Sequence, residues 1–288
     1  MTTSHDHGCR TRITLLVEDA SSRADLVAEH GLSIWVEAYG LKILFDTGQS
    51  DAFLANARTL GLPAASADAL VLSHGHYDHT GGLSNLGDIA LPLGIFLHPA
   101  ALQPRYRRTV GPEYKPIGMP LASRRFIEKA AVKITYTQDP HWISRQIGIT
   151  GQIPRQVPFE DPGGPFFLDP QLTRPDHILD DQAMWVQAKE GLIIILGCAH
   201  AGVVNTIQKV MSLTGCDKVL AVIGGMHLAG VSMDRLEATT EAMRAFDIKA
   251  IMPCHCTGTY EASFMAQQLG SRVRLVSTGS QILFDNGS

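Results

Sequence analysis

The chain has 288 residues, 45% of them apolar and 18% charged, with a net charge of −4. Such a composition supplies a packed core and excludes disorder, and the small charge excludes a whole-protein field built to grip nucleic acid or an acidic membrane. No apolar run reaches the roughly 20 residues of a membrane span, and the N-terminal MTTSHDHGCRTR lacks the apolar centre of a secretion signal, so a cytoplasmic protein is expected.

An apolar run at residues 13–17 opens the chain. Residues 31–39 then alternate, with Leu32, Ile34, Val36 and Ala38 on one face and Ser33, Trp35, Glu37 and Tyr39 on the other, which predicts a half-buried strand. A tight connection at Tyr39-Gly40 leads to a hairpin partner over residues 41–45 that ends at Asp46-Thr47-Gly48. Ser50 is the expected N-cap of a helix carrying Phe53, Leu54, Ala57 and Leu60, stopped by Gly61. A short buried strand follows over residues 67–72.

Two stretches break the rhythm, residues 103–130 and the proline-rich residues 151–176, and loops of that length are expected to form lids or binding loops. The second half repeats strand then helix. Strands over residues 191–196, 218–223 and 250–252 run into Gly197-Cys198-Ala199-His200, Gly224-Gly225-Met226-His227 and Pro253-Cys254-His255-Cys256. A histidine therefore follows each strand. Strands in both halves with helices after them predict an α/β four-layer αββα sandwich in a single domain, residues 1–288.

The segment Ser73-His74-Gly75-His76-Tyr77-Asp78-His79-Thr80-Gly81-Gly82 follows a buried strand and carries an H-x-H-x-D-H cluster. In extended chain, residues two apart point the same way. His74 and His76 can then grip one ion while Asp78 and His79, turning into the next helix, face a second. The five cysteines, Cys9, Cys198, Cys216, Cys254 and Cys256, show no disulfide framework and fit a reducing compartment. Cys254 and Cys256, flanking His255, are expected to point away from it as small buried apolar groups, and so is Cys198. Glu29 and His30 stand open between a supporting role at the ligands and a purely structural one.

These motifs resemble the metallo-β-lactamase superfamily over nearly the whole chain: Phe45-Asp46-Thr47-Gly48, the His74 to His79 cluster, His200 and His255 match its successive motifs. The details are most similar to a branch that contains many metal-dependent hydrolases and an archaeal dihydropterin–aminobenzene ribofuranosyl phosphate synthase. The resemblance implies two divalent metal ions, the first on His74, His76 and His200, the second on Asp78, His79 and His255, with Asp46 orienting ligands from behind. Zinc suits so nitrogen-rich a set, and manganese and iron fit the same ligands. One departure is plain. The aspartate that bridges the metals in most such proteins is missing, because residues 218–233 hold no carboxylate, and His227 is the only obvious substitute.

Residues 103–130 carry Arg105, Arg107, Arg108, Lys115, Arg124, Arg125 and Lys129 against Glu113 and Glu128, in a chain that is acidic overall. Beside a metal site this basic run implies a small anionic substrate, with Arg105, Arg107, Arg108 and Arg155 as its contacts and Tyr106 and Tyr114 available to stack on a planar ring. A solvated helix face is the alternative source of such a run. The expected chemistry is hydrolysis of a phosphoester by metal-activated water, with Asp78 as both ligand and proton acceptor. A dihydropterin-diphosphate transferase and a non-catalytic metal-dependent binder are the alternatives, and no nucleic-acid module or membrane partner is expected.

Overall fold

The computed structural model describes residues 10–87, 89–109, 113–160 and 164–287, so Cys9 lies outside the described residues. In chain order the first part comprises β1 (Arg10–Val17), β2 (Ser33–Ala38), β3 (Leu41–Phe45), α1 (Ala52–Thr59), β4 (Ala69–Val71), α2 (Tyr77–Thr80) and β5 (Gly94–Leu97). There follow β6 (Tyr106–Arg108), β7 (Tyr114–Pro116), α3 (Leu121–Lys129), β8 (Ile134–Tyr136), β9 (His141–Trp142), β10 (Ile147–Ile149) and β11 (Phe166–Phe167). The last part holds β12 (Met184–Ala188), β13 (Gly191–Ile195), α4 (Val203–Thr214), β14 (Val219–Gly225), α5 (Met233–Ala245), β15 (Ala250–Cys254), α6 (Thr259–Leu269) and β16 (Gln281–Asp285).

A seven-stranded sheet runs β16-β1-β2-β3-β4-β5-β8 and a six-stranded sheet β15-β14-β13-β12-β10-β9. Their facing sides interdigitate Ile13, Ile34, Ile43 and Val71 with Ile149, Val186, Ile193 and Ile223 in one buried cluster. The opposite faces are covered by helices. Trp35, Leu44 and Leu70 pack with Phe53 of α1 and Ile127 of α3, while Ile194, Val222 and Ile251 pack with Ile207 of α4, Met243 of α5 and Met265 of α6. The result is the four-layer αββα sandwich. It also corrects the expectation of a half-buried β2, because Trp35 on its outer face is fully buried under the helical layer.

Local chemistry sets the connections. Tyr39 and Gly40 both have positive φ, 52° and 78°, as a two-residue turn matched to the twist of β2 and β3 requires. The cap of α1 differs by one place: the N-cap is Asp51, and the Ser50 hydroxyl instead accepts from the Ala52 N–H at 3.1 Å.

The strand directions position the site. β3, β4, β5 and β8 pair in parallel, as do β13, β14 and β15, and β1 runs with β3 because both are antiparallel to β2. Ligands in parallel sheets gather beyond the carboxyl ends of the strands. Here Glu18 and Asp19 follow β1, Asp46 follows β3, the His74 to His79 segment follows β4, and His200, His227 and His255 follow β13, β14 and β15. A third, three-stranded sheet, β11-β6-β7, joins the two long stretches that interrupt the sandwich. The remainder of residues 103–130 is not lid: α3 buries Ser123 and Ile127 in the outer layer. No helix among the described residues is long and apolar enough to cross a membrane.

Candidate metal centre

Backbone conformation aims the side chains. Asp46, Ala199, His227 and His255 all have left-handed φ, between 47° and 57°, a region that costs a non-glycine residue about 1–2 kcal/mol. Each lies just beyond a strand, where the chain must reverse. Gly75 is fixed by space, since a Cβ there would lie 2.2 Å from the Ala101 carbonyl oxygen, and the close approach presses the His74 to His76 turn against the loop after β5.

His74, His76 and His200 bring ring nitrogens within 4.8 Å of one another. His74 Nδ1 donates to Ser73 Oγ at 2.9 Å, so its Nε2 carries a lone pair toward His76 Nδ1, 3.0 Å away. His76 Nε2 and both nitrogens of His200 are buried and have no partner among the described residues. Burial lowers the proton affinity of all three, His76 to about 3, so they stand as neutral imidazoles. Ligand nitrogens on one zinc at about 2.0–2.1 Å in tetrahedral array lie about 3.3 Å apart, so the donor set fits one such ion.

A second group converges on Asp78. His255 Nε2, another buried orphan, lies 3.5 Å from Asp78 Oδ2, and His79 Nε2 lies 3.9 Å from it. Each histidine is held from behind by a carboxylate: His79 Nδ1 donates to Asp46 Oδ2 at 2.7 Å, and His255 Nδ1 to Asp19 Oδ1 at 2.7 Å. Such pairs orient the rings with Nε2 toward the centre, and against its burial Asp19 and Asp78 hold His255 well above the ordinary histidine range. Asp46, fully buried, also accepts from the Ser73 N–H at 2.7 Å and hydroxyl at 2.6 Å, tying β3 to the ligand loop. Burial alone would raise the Asp78 carboxyl, but His79, His255 and His30 outweigh it and hold it well below the usual range.

Asp19 and Glu18 were missed by the sequence reading. Asp19 joins His255 to His30 (Nδ1 to Asp19 Oδ2, 2.9 Å), and Glu18 Oε1 accepts from the His255 N–H at 2.9 Å. An acidic pair directly after a buried strand was the available sign. The open question at Glu29 and His30 divides between them. His30 Nε2 lies 3.3 Å from Asp78 Oδ2, whereas Glu29 accepts from Gln49 and Ser50 in the α1 loop.

The structure sets His227 beside His200, with ring centroids 4.3 Å apart. Cys198 and Cys256 depart from expectation. The chain leaves its extended course at His255, φ 50°, so Cys256 turns back toward the centre while Cys254 stays in the core between the sheets. Cys198 lies on the floor, its Sγ 3.2 Å from His79 Nε2.

The cationic residues expected at the substrate also divide. Arg107 and Lys115, paired across β6 and β7, point into a cavity of about 980 Å³ above the histidines. Arg105 does not face it: it is 1% exposed, bonded to Asp180 through both terminal nitrogens, with Nε 2.9 Å from Asp176. Its charge is spent on two carboxylates. Arg155 is likewise engaged by the carbonyls of His177 and Ile178 and lines no part of the cavity. Arg108, one residue from Arg107 on a strand, faces the other way and lies over the Phe167 ring at 5.1 Å. Tyr106 and Tyr114 stack edge-on against each other at 5.3 Å, on that same far side. The aromatic groups at the cavity are instead Tyr77 and Phe166, the latter packed on His76 and His200 at 5.4 and 5.7 Å.

The geometry is matched by similarity to known proteins. The sequence model of the metallo-beta-lactamase superfamily matches residues 27–165. The 7,8-dihydropterin-6-methyl-4-(beta-D-ribofuranosyl)-aminobenzene-5'-phosphate synthase of Methanocaldococcus jannaschii is 31% identical over 95% of this chain and 96% of its own. The crystal structure of Tm1679, a metal-dependent hydrolase of the beta-lactamase superfamily, superposes with a TM-score of 0.80 at 29% identity, over 94% of this chain and 98% of that one. A diphosphatase from the PhnP family shares the fold alone, with TM-score 0.52 and 14% identity over 96% and 98% of the two chains. With its αββα layers, its histidine-lined rim and full-length relatives, this chain belongs to the metallo-beta-lactamase superfamily.

Proposed function

We propose that the protein is a metal-dependent hydrolase of a small anionic, phosphate-bearing substrate. The observation that carries this reading is the placement of Arg107 and Lys115 on the wall of the cavity whose floor is His76, Asp78, His200 and His255. His74, His76 and His200 would hold one divalent ion and Asp78, His79 and His255 a second, zinc by the nature of the donors and manganese or iron by the same set. Such ions supply Lewis acidity toward a phosphoryl or carbonyl oxygen and bring the ionisation of water near neutral pH.

The chain's own groups do the rest. The Arg107 fork and the Lys115 ammonium bind the anionic group and set its distance from the floor. Asp46 and Asp19 hold the His79 and His255 rings with Nε2 toward the centre. Asp78 contributes negative charge. It faces His30, 3.3 Å away and half open to solvent, whose imidazole is raised to about 9 by Asp19 and Asp78 and stands as their cationic partner at neutral pH. Phe166 shields His76 and His200 from bulk water.

A second reading rests on the full-length similarity to the Methanocaldococcus jannaschii synthase. On it the chain joins a dihydropterin diphosphate to an aminobenzene ribofuranosyl phosphate with departure of pyrophosphate. The cavity, about 980 Å³, lies at the upper end of the roughly 300–1,000 Å³ of ligand pockets and has room for two partners. Metal analysis of the purified protein, with turnover of a phosphomonoester, phosphodiester and lactone panel, tests the first reading. Pyrophosphate release only when both pterin-pathway compounds are present would replace it by the second, and metal uptake without turnover of either would leave a metal-dependent binder.

A further inference from the structure

The missing bridge poses a charge problem. Two divalent ions a few ångströms apart repel strongly, and Asp78 is the one carboxylate among the six residues assigned to them above. Strand β14, which would deliver a bridging aspartate, ends in Gly224-Gly225-Met226-His227. The compensating anion must come from another element.

Cys198 occupies the required place. Its Sγ belongs to one cluster with His74 and His79, to another with His200 and His227, and to a third with His255 and Cys256, each with donor atoms within 4.8 Å of one another. His74 and His200 are donors of the first set and His79 and His255 of the second, so a single sulfur lies within reach of both. The distance also fits. A sulfur at about 2.3 Å and a nitrogen at about 2.0–2.1 Å on one tetrahedral zinc lie about 3.6 Å apart, and Cys198 Sγ is 3.2 Å from His79 Nε2. The side chain is presented just beyond β13, two residues ahead of His200, and the left-handed turn at Ala199 lies between the two.

Cys256 reaches the centre from the His255 side. Its sulfur accepts from the His227 N–H at 3.3 Å and lies 3.7 Å from the Cys198 carbonyl oxygen, under Gly225, where a Cβ would come within 2.6 Å of it. It is a supporting group that neighbours Cys198, and His227 is held to it through its backbone.

We propose that Cys198 Sγ is an anionic ligand shared by the two metal positions, in the role that a bridging carboxylate fills elsewhere in the superfamily. The inference rests on the two-metal reading above. On loading, the thiol proton passes to solvent and the thiolate takes up both ions, so one sulfur supplies the charge that β14 lacks.

Cobalt(II) is the probe. The wild-type protein loaded with two equivalents should show an intense near-ultraviolet sulfur-to-cobalt charge-transfer band and, by X-ray absorption, one sulfur neighbour per cobalt at about 2.3 Å. Cys198→Ser should lose the band and bind the second equivalent about 10- to 100-fold more weakly. Cys256→Ser should keep the band. Cys198→Asp, which supplies an anion without sulfur, should hold both cobalt ions and show no band, and this separates ligation from a folding defect. Two bound cobalt ions with no sulfur neighbour in the wild type, or a band lost in Cys256→Ser and kept in Cys198→Ser, overturns the shared thiolate while leaving the metal-site reading intact. Failure of the wild type to bind cobalt overturns both.

Discussion

Arg105 and Asp180, both removed from solvent, form a two-pronged ion pair, and Asp180 Oδ2 in turn accepts the Gly75 N–H at 2.7 Å. One guanidinium thus anchors the first interrupting stretch, the loop that follows the second, and the turn between His74 and His76. Arg105→Ala would leave Asp180 and Asp176 buried without their counter-charge, at a cost of about 3–5 kcal/mol. Urea unfolding at neutral pH measures it. A loss below about 1 kcal/mol, the range of a solvent-exposed pair, would show that the clamp is not formed.

The two cationic groups that face the cavity should behave differently. Arg107→Gln and Lys115→Gln should each raise KM for a phosphate-bearing substrate about tenfold or more, with little change for a neutral ester of similar size. Arg155→Gln should not discriminate between the two substrates, because its guanidinium is committed to the His177 and Ile178 carbonyls. Steady-state kinetics on the matched pair of substrates decides, and equal effects on both at Arg107 would count against an anion site there.

His200 offers two buried nitrogens with no partner among the described residues, and His76 one. Removing either ring should lower bound metal per chain by about one equivalent and abolish turnover, because each takes one nitrogen from a site with about three protein ligands. Elemental analysis after gel filtration gives the stoichiometry. Full metal content in both alanine variants would refute the ligand assignment.

Asp19 holds the His255 and His30 rings and also accepts the Gly31 N–H at 3.3 Å. Asp19→Asn keeps the shape but weakens the acceptor for His255 Nδ1 and His30 Nδ1, so the second metal equivalent should bind about 10- to 100-fold more weakly while the first is unchanged. Competition with a chromophoric chelator resolves the two steps. Equal weakening of both would indicate a general packing defect instead of a positioning role.

The contrast between Asp46 and Asp19 shows what the sequence discloses. The H-x-H-x-D-H cluster and the histidines after β13, β14 and β15 were legible because apolar runs locate the strand ends where sites form, and the resemblance to a known superfamily marked which of them would ligate. Asp19 reaches His255 across 236 residues of sequence, and no local pattern registers such a contact. Arg105 misled for a related reason. A run of positive charge is visible in one dimension, but its neutralising partners, Asp176 and Asp180, lie some 70 residues on and meet it only in the folded chain. Trp35 was assigned to an open face because alternation marks two faces of a strand without saying whether a second layer covers the polar one.

Asp46, Ala199, His227 and His255 stand in left-handed backbone, each against its own conformational preference. Evolution under selection for heat resistance alone would find these corners early, since glycine or asparagine at 46, 227 or 255 relaxes the main chain. The same replacements erase an orienting carboxylate or an imidazole. Four of the nine left-handed non-glycine residues among the described ones thus lie at the candidate metal centre, and a thermostabilised descendant that had lost metal would be expected to bear its substitutions there.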